Sequence, residues 1–493
     1  MSKGKNLQKI VILGAGLAGL TAAYELAKNK KEVIVIEQAD KVGGLARTVE
    51  KNGFKFDTGP HRWYTKNNKV NDWMLNLMDE EIIRVPRLTR IYFDKKFFYY
   101  PIRLVNALSG IGLVNSCRAI VDYVIARVNA RFFSQKMVTM EDGYINQFGK
   151  TLYDIFFKRY SEKLWGEDCK KISIDWVGQR TRGLNIITIL KDTLIKSKKV
   201  VSLVDEFSYP KDGVGRIAEK LAEGIRKNKG KIITNNEVCQ INTTRGTINS
   251  VVVQNKNGKQ DIRGDQFISS IPLNELIHRL NPAVPLRIRR LALKLRYRDE
   301  LQVAIFVKKN HITQDTWIYV HPKEIPFMRF MEMDNWSDRL SPKGTTTLVF
   351  EIACNVGDSM WLKKDKEIIK MVLNAYIDEF KSISKNDYLG GYVHRVAKEY
   401  PVYHIGYRGD VDQIKKYVNK YKNLQLIGRN GTFRYNNMDH SIEMGLFAAW
   451  NIISGGHKYD IESVNIEREY LEEKKIENVE DETLEELNNT QTE

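Results

Sequence analysis

Residues 9–13 (Lys-Ile-Val-Ile-Leu) form a short β-branched run, and residues 31–37 form a second apolar run ending at Glu37. Between them a cluster of glycines precedes Leu20 to Asn29, whose apolar positions recur at helical spacing. The stretch therefore predicts strand, turn, helix, strand, a βαβ unit. Residues 104–135 and 141–165 read as helical, rich in aliphatics and in Arg and Lys. Strand-like segments recur at 230–254 and 265–271, then at 300–308, 316–320, 326–333 and 346–353. Residues 364–384 predict one amphipathic helix, 424–427 a last short strand and 441–453 a last helix. An α/β fold follows, in which one sheet is revisited at the start, middle and end of the chain. The expected division assigns 1–95, 201–290 and 421–460 to the first domain. A mixed helical and antiparallel-sheet domain takes 96–200 and 291–420. The Glu-rich end, 461–493, is expected to be a solvated, disordered tail.

The glycines carry the first chemistry. In Gly14-Ala-Gly16-Leu-Ala-Gly19, Gly14 allows a tight turn, Gly16 lets backbone approach a pyrophosphate, and Gly19 lets the helix pack closely on the sheet. The helix N-terminus then directs partial positive charge at the phosphates. Glu37, 18 residues after Gly19, ends the second strand where a carboxylate accepts from a ribose hydroxyl. Val42-Gly43-Gly44-Leu45-Ala46-Arg47 follows, then Phe54 to Asp57 and Thr58-Gly59-Pro60-His61. A plain NAD site needs no second glycine pair with a following arginine. The run from Val11 to His61 resembles the flavoproteins of the amine-oxidase and glutathione-reductase-like class, in which this loop and arginine line the FAD pyrophosphate and ribityl chain. The resemblance implies FAD as cofactor and a Rossmann-like FAD-binding domain interleaved with the substrate domain.

Composition narrows the partner. The net charge is +17, and the last eighteen residues hold seven acids and no base, so the rest of the chain stands at +24. That surplus favours an anionic partner. The four cysteines are scattered and none has zinc-ligand spacing, so no metal site is expected and a reducing compartment is favoured. Neither a signal peptide nor an apolar run long enough to span a bilayer is evident, so a cytoplasmic location is expected. The bases are spread along the chain without any nucleic-acid-binding motif, so no nucleic-acid partner is expected.

Three further blocks resemble the UDP-galactopyranose mutases. Phe56 to Trp73 is similar to their histidine-loop segment. Tyr160-Ser-Glu-Lys-Leu-Trp165-Gly166, with Trp176 and Arg180 after it, resembles a second block. Gly428-Arg429 through Arg434-Tyr435 to Asp439-His440-Ser441 resembles their C-terminal signature. The turn Phe207 to Gly215 is similar to that of the longer, eukaryotic-type members. The resemblance implies a reaction in which N5 of reduced FAD attacks the anomeric carbon of a UDP-sugar and expels UDP. The sugar then recloses as the other ring form. No protein nucleophile is needed, and none is evident from spacing. Carried over by position, Arg180 and Arg329 hold the diphosphate, where arginine's bidentate fork suits the task. Tyr319, Tyr400 and Tyr435, with Trp165 and Trp176, complete the substrate set, and His61 lies by the flavin. Arg429, Asp439, Ser441, Val238, Leu45, Gly59 and Pro60 join Gly14, Gly16, Gly19, Glu37, Gly43, Gly44 and Arg47 around FAD. NAD(P)H is a candidate external reductant. Two departures, Ile102-Arg103 after Tyr100-Pro101 and Trp336 in place of a tyrosine, bear on the identity of the sugar nucleotide.

The competing reading is an FAD-dependent oxidoreductase of the amine-oxidase superfamily acting on an apolar substrate. It draws on residues 104–128, an apolar stretch with Arg103, Arg118 and Arg127 nearby. The expected reading of that stretch is a buried helix pair. Its alternative is a weak peripheral contact of 103–128 with an anionic membrane surface.

Overall fold

The computed structural model describes residues 8–102, 104–132, 136–180 and 206–465; of 104–105 and 178–180 it describes only the main chain. Five strands, all parallel, build the first sheet. Their order is Leu424–Leu426, Gln266–Ser269, Lys9–Leu13, Glu32–Ile36 and Lys231–Ile233. Lys9–Leu13 at the centre is covered on both faces, which is why it reads as a continuous apolar run without alternation. The helices Leu17–Lys28 and Met438–Ile453 pack on each other over this sheet, although more than 400 residues separate them. A four-stranded sheet over 237–263 and 280–281 adjoins it.

The second layer is a seven-stranded sheet, ordered Tyr388–Pro401, Tyr297–Val307, Thr346–Cys354, Arg329–Glu332, Trp317–Val320, Thr89–Phe93 and Lys96–Tyr99. Its register matters for function. Tyr319 pairs with Arg329, Arg329 with Glu351, and Glu351 with Gln302, so these four form one row across adjacent strands. Residues two apart share a face, and Glu300 therefore stands on the same side. The other side presents Leu301, Val303, Ile305, Phe330, Leu348 and Phe350. These pack under the helix Asp365–Phe380 through Ile368, Val372 and Tyr376.

The helical segment runs 104–111, 113–132 and 140–165, the last interrupted by a π-helical turn, Tyr153–Lys158. The expected buried helix pair at 104–128 is not what forms. Ala119 and Ala126 are the residues of Leu113–Phe132 that the fold buries. The larger aliphatics of that helix face outward. Small side chains allow its inner face to lie close to the neighbouring helical turn, where Asp122 accepts from Thr151 N and Oγ1 at 2.9 and 2.6 Å. No helix among the described residues is long and apolar enough to cross a membrane. Of the expected tail, 461–493, residues 461–465 pack on the body: Val464 is buried, and Arg434 Nη1 donates to Glu462 O and Val464 O at 2.9 and 2.7 Å; residues 466–493 lie outside the described residues.

Candidate active site

A cleft of about 430 Å³ runs along the carboxyl ends of the parallel strands. At its floor the two glycine turns meet. Gly43 N donates to Ala15 O at 2.8 Å. A Cβ on Gly44 (φ +59°) would come within 2.9 Å of Gly16 Cα, whereas a Cβ on Gly16 would meet nothing nearer than 3.9 Å. The open side of Gly16 is thus available to a ligand. Gly19 lies behind the cleft and serves packing, since its Cβ would fall 2.1 Å from Gly14 O. The Glu37 carboxylate accepts from Ala15 N and Ala39 N at 2.8 and 2.9 Å, and Arg47 Nη2 stands 3.8 Å from it. Arg47 Nε is buried with no partner, an unused donor on the wall. Gly14, Leu45, Val238, Ser441 and Arg429 line the same cleft. A glycine floor, a ribose-type carboxylate at one end and an orphaned guanidinium donor fit an FAD lying extended.

At its far end the cleft opens into a second chamber of about 160 Å³, and His61, Arg429, Asn437 and Met438 line both. Tyr319, Arg329, Tyr400 and Tyr435 line this chamber, as do Gly59, Pro60 and Asp439. Arg329 Nε donates to Glu351, and the Arg329 guanidinium lies 5.7 Å from the centre of the Tyr319 ring. Arg429 donates to Asn436 O at 2.9 Å and to Glu399 Oε1 at 3.1 Å, its guanidinium 4.8 Å from the Tyr435 ring centre. Tyr400 and Tyr435 stack at 5.9 Å. His61 is pushed down to about 3 by burial, reinforced by Arg429 and Arg329, so the imidazole is neutral at working pH. Its Nδ1 is buried without a partner.

The structure brings together most of the residues expected from sequence. Gly59, Pro60 and Asp439, expected at the cofactor, line the chamber and not the cleft. Trp165 and Trp176 line neither. They stand behind the tyrosines, Trp176 edge-on to Tyr435 at 4.9 Å and Trp165 edge-on to Trp176 at 4.5 Å. The side chain of Arg180 lies outside the described residues; the main chain ends a helix, Asp175–Arg180, that begins one residue before Trp176.

Three carboxylates in the chamber, Glu300, Glu351 and Glu399, escaped the sequence reading. The available signal was a charge inside an otherwise apolar strand, as in Leu348-Val349-Phe350-Glu351-Ile352. Burial holds Glu300 and Glu399 above the usual carboxylate range, the neighbouring Glu351 adding to both and Arg429 opposing the rise at Glu399. One oxygen of each has no protein partner. No lysine, cysteine or serine lines the chamber among the described residues, and no group of side chains suited to a metal ion occurs among them.

A family described as flavin containing amine oxidoreductase matches residues 138–453. The chain belongs to the flavin containing amine oxidoreductases. An NAD(P)-binding Rossmann-like domain model matches residues 12–78, the glycine-rich half of the cleft. Among curated relatives, an L-amino-acid oxidase of Crotalus adamanteus is 42% identical over 69 residues. That match spans 14% of this chain and 13% of the relative, so it likens a segment and not a whole protein. Among solved structures, a reduced UDP-galactopyranose mutase has a TM-score of 0.77 at 22% identity, covering 92% of this chain and 95% of that one. A putrescine oxidase bound to putrescine has a TM-score of 0.60 at 14% identity, covering 91% and 99%. At such identities the likeness shows a shared fold.

Proposed function

We propose that the protein is an FAD-dependent sugar-nucleotide mutase, interconverting the six- and five-membered ring forms of a UDP-sugar such as UDP-galactose. The observation that carries this reading is the chamber of Arg329, Tyr319, Tyr400 and Tyr435, contiguous with the cofactor cleft through His61. Bound FAD in its reduced form supplies the nucleophilic nitrogen. The protein supplies binding and orientation. Arg329 turns its fork from Glu351 to the diphosphate, and the tyrosine hydroxyls donate to the remaining phosphate oxygens. The Trp165–Trp176 pair holds Tyr435 from behind. Neutral His61 offers a hydrogen bond beside the cofactor without adding charge. Titration of UDP and UDP-galactose into the holoprotein, followed by flavin fluorescence, tests the reading. Saturable binding supports it, and no binding by wild type overturns it.

A second reading rests on a different observation. Glu300, Glu351 and Glu399 face the chamber beside the stacked Tyr400–Tyr435 pair, a combination of carboxylate and aromatic face that suits a cationic amine. On that reading the protein is an oxidase that consumes oxygen at each turnover. Oxygen uptake with an amine and none with a UDP-sugar identifies it.

A further inference from the structure

The helix Leu113–Phe132 is turned inside out. Leu113 is 82% exposed, Phe132 71% and Val114 66%, and Ile120, Val121, Val124, Ile125 and Val128 are exposed as well. These eight are nearly half of the seventeen large apolar side chains exposed among the described residues. At about 100° per residue they fall on one arc of the helix, with Cys117 among them, and the arc lies opposite buried Ala119 and Ala126. Arg118 flanks the arc on one side and half-buried Arg127 on the other, while Arg131 stands on the arc itself, in line with Leu113. Asp122 is the one acid of this helix, and it is turned inward to Thr151.

We propose that this face docks on an anionic lipid bilayer as a peripheral, in-plane helix. A contiguous apolar surface of this extent on a globular protein marks an interaction site. Amphipathic interfacial helices share the same pattern of aliphatics between basic flanks, with aromatics at headgroup level. The charges choose the occupant. In a symmetric pairing with a second copy, each row of arginines meets another row of arginines, with no acid on the face to neutralise them. Anionic headgroups supply that charge, and the +24 surplus of the chain before its tail acts in the same direction. The helix carries too many charges to span. The proposal does not depend on which substrate the chamber takes.

Full-length holoprotein mixed with vesicles of phosphatidylcholine alone, or with roughly 30 mol% phosphatidylglycerol, decides the matter by flotation. We expect roughly tenfold or greater preference for the anionic vesicles, weakening as salt is raised. Val121→Glu with Val124→Glu should abolish flotation, with flavin content and melting temperature unchanged because both sites are exposed. An environment-sensitive fluorophore on Cys117, the one exposed cysteine, should shift to the blue with anionic vesicles. Failure of wild type to float with either composition overturns the proposal. So does equal flotation of the double variant, which places the lipid contact elsewhere on the basic surface. A wild-type dimer that the same double substitution makes monomeric assigns the face to a second copy instead.

Discussion

Arg329 is already engaged by Glu351 before any ligand arrives, so its replacement acts on binding and on stability together. Arg329→Ala removes a charge-assisted contact worth about 1.5–3 kcal/mol, and should weaken UDP binding roughly 10- to 150-fold. It also strands a buried carboxylate, which costs about 3–5 kcal/mol and should lower the melting temperature. Adding Glu351→Gln should restore the melting temperature and leave binding weak. Recovery of binding in the double variant would remove Arg329 from the substrate site. Asp57 sets a pH dependence. Burial raises it to about 6, against hydrogen bonds from Thr48, Tyr209 and Val214 that favour its charged form. The folded state therefore holds a proton that the unfolded state has released between pH 3.8 and about 6. Its contribution to stability is full below that window and declines as pH rises through it, by roughly 3 kcal/mol. Asp57→Asn should remove this decline in denaturant titrations across the window; an unchanged slope contradicts the assignment. At this scale the resemblance put Arg329 and the tyrosines forward by position, and the structure brings them into one chamber. Glu351 stands out in the sequence only as a charge inside an apolar strand, and strand register, not spacing, brings it together with Glu300.

Among elements, the opening βαβ unit separates cofactor binding from packing. Gly16→Ala has room in the fold, so the variant should fold with an ordinary melting temperature and retain FAD at least tenfold more weakly, its methyl taking the space of the pyrophosphate. Gly19→Ala drives a methyl into a backbone carbonyl and should lower stability by a few kcal/mol. Equal FAD affinity in Gly16→Ala and wild type contradicts the cradle. This unit was fully legible, since periodicity, glycines and Glu37 agree. The strand Tyr388–Pro401 was not. Gly390 and Gly391 interrupt its pattern, and Gly391 is there because a Cβ would sit 2.9 Å from Ala304 O of the paired strand. The helix Leu113–Phe132 misled for another reason. Its periodicity gives an apolar face correctly but cannot say which way that face turns.

For the whole molecule, the return of the chain to its first sheet at 231–233, 266–269 and 424–426 is what lets Gly14, Val238, Arg429 and Ser441 share one cleft. The purified protein should be yellow, and acid precipitation should release FAD intact; a colourless protein that cannot be reconstituted contradicts the cleft. One reaction decides whether the protein is a mutase. Dithionite-reduced holoprotein is incubated with UDP-galactopyranose and the nucleotide sugars are separated by anion-exchange chromatography. Appearance of the furanose form, without oxygen uptake or net flavin oxidation, is the result predicted. An unchanged nucleotide sugar, with no shift of flavin fluorescence on adding UDP, contradicts it.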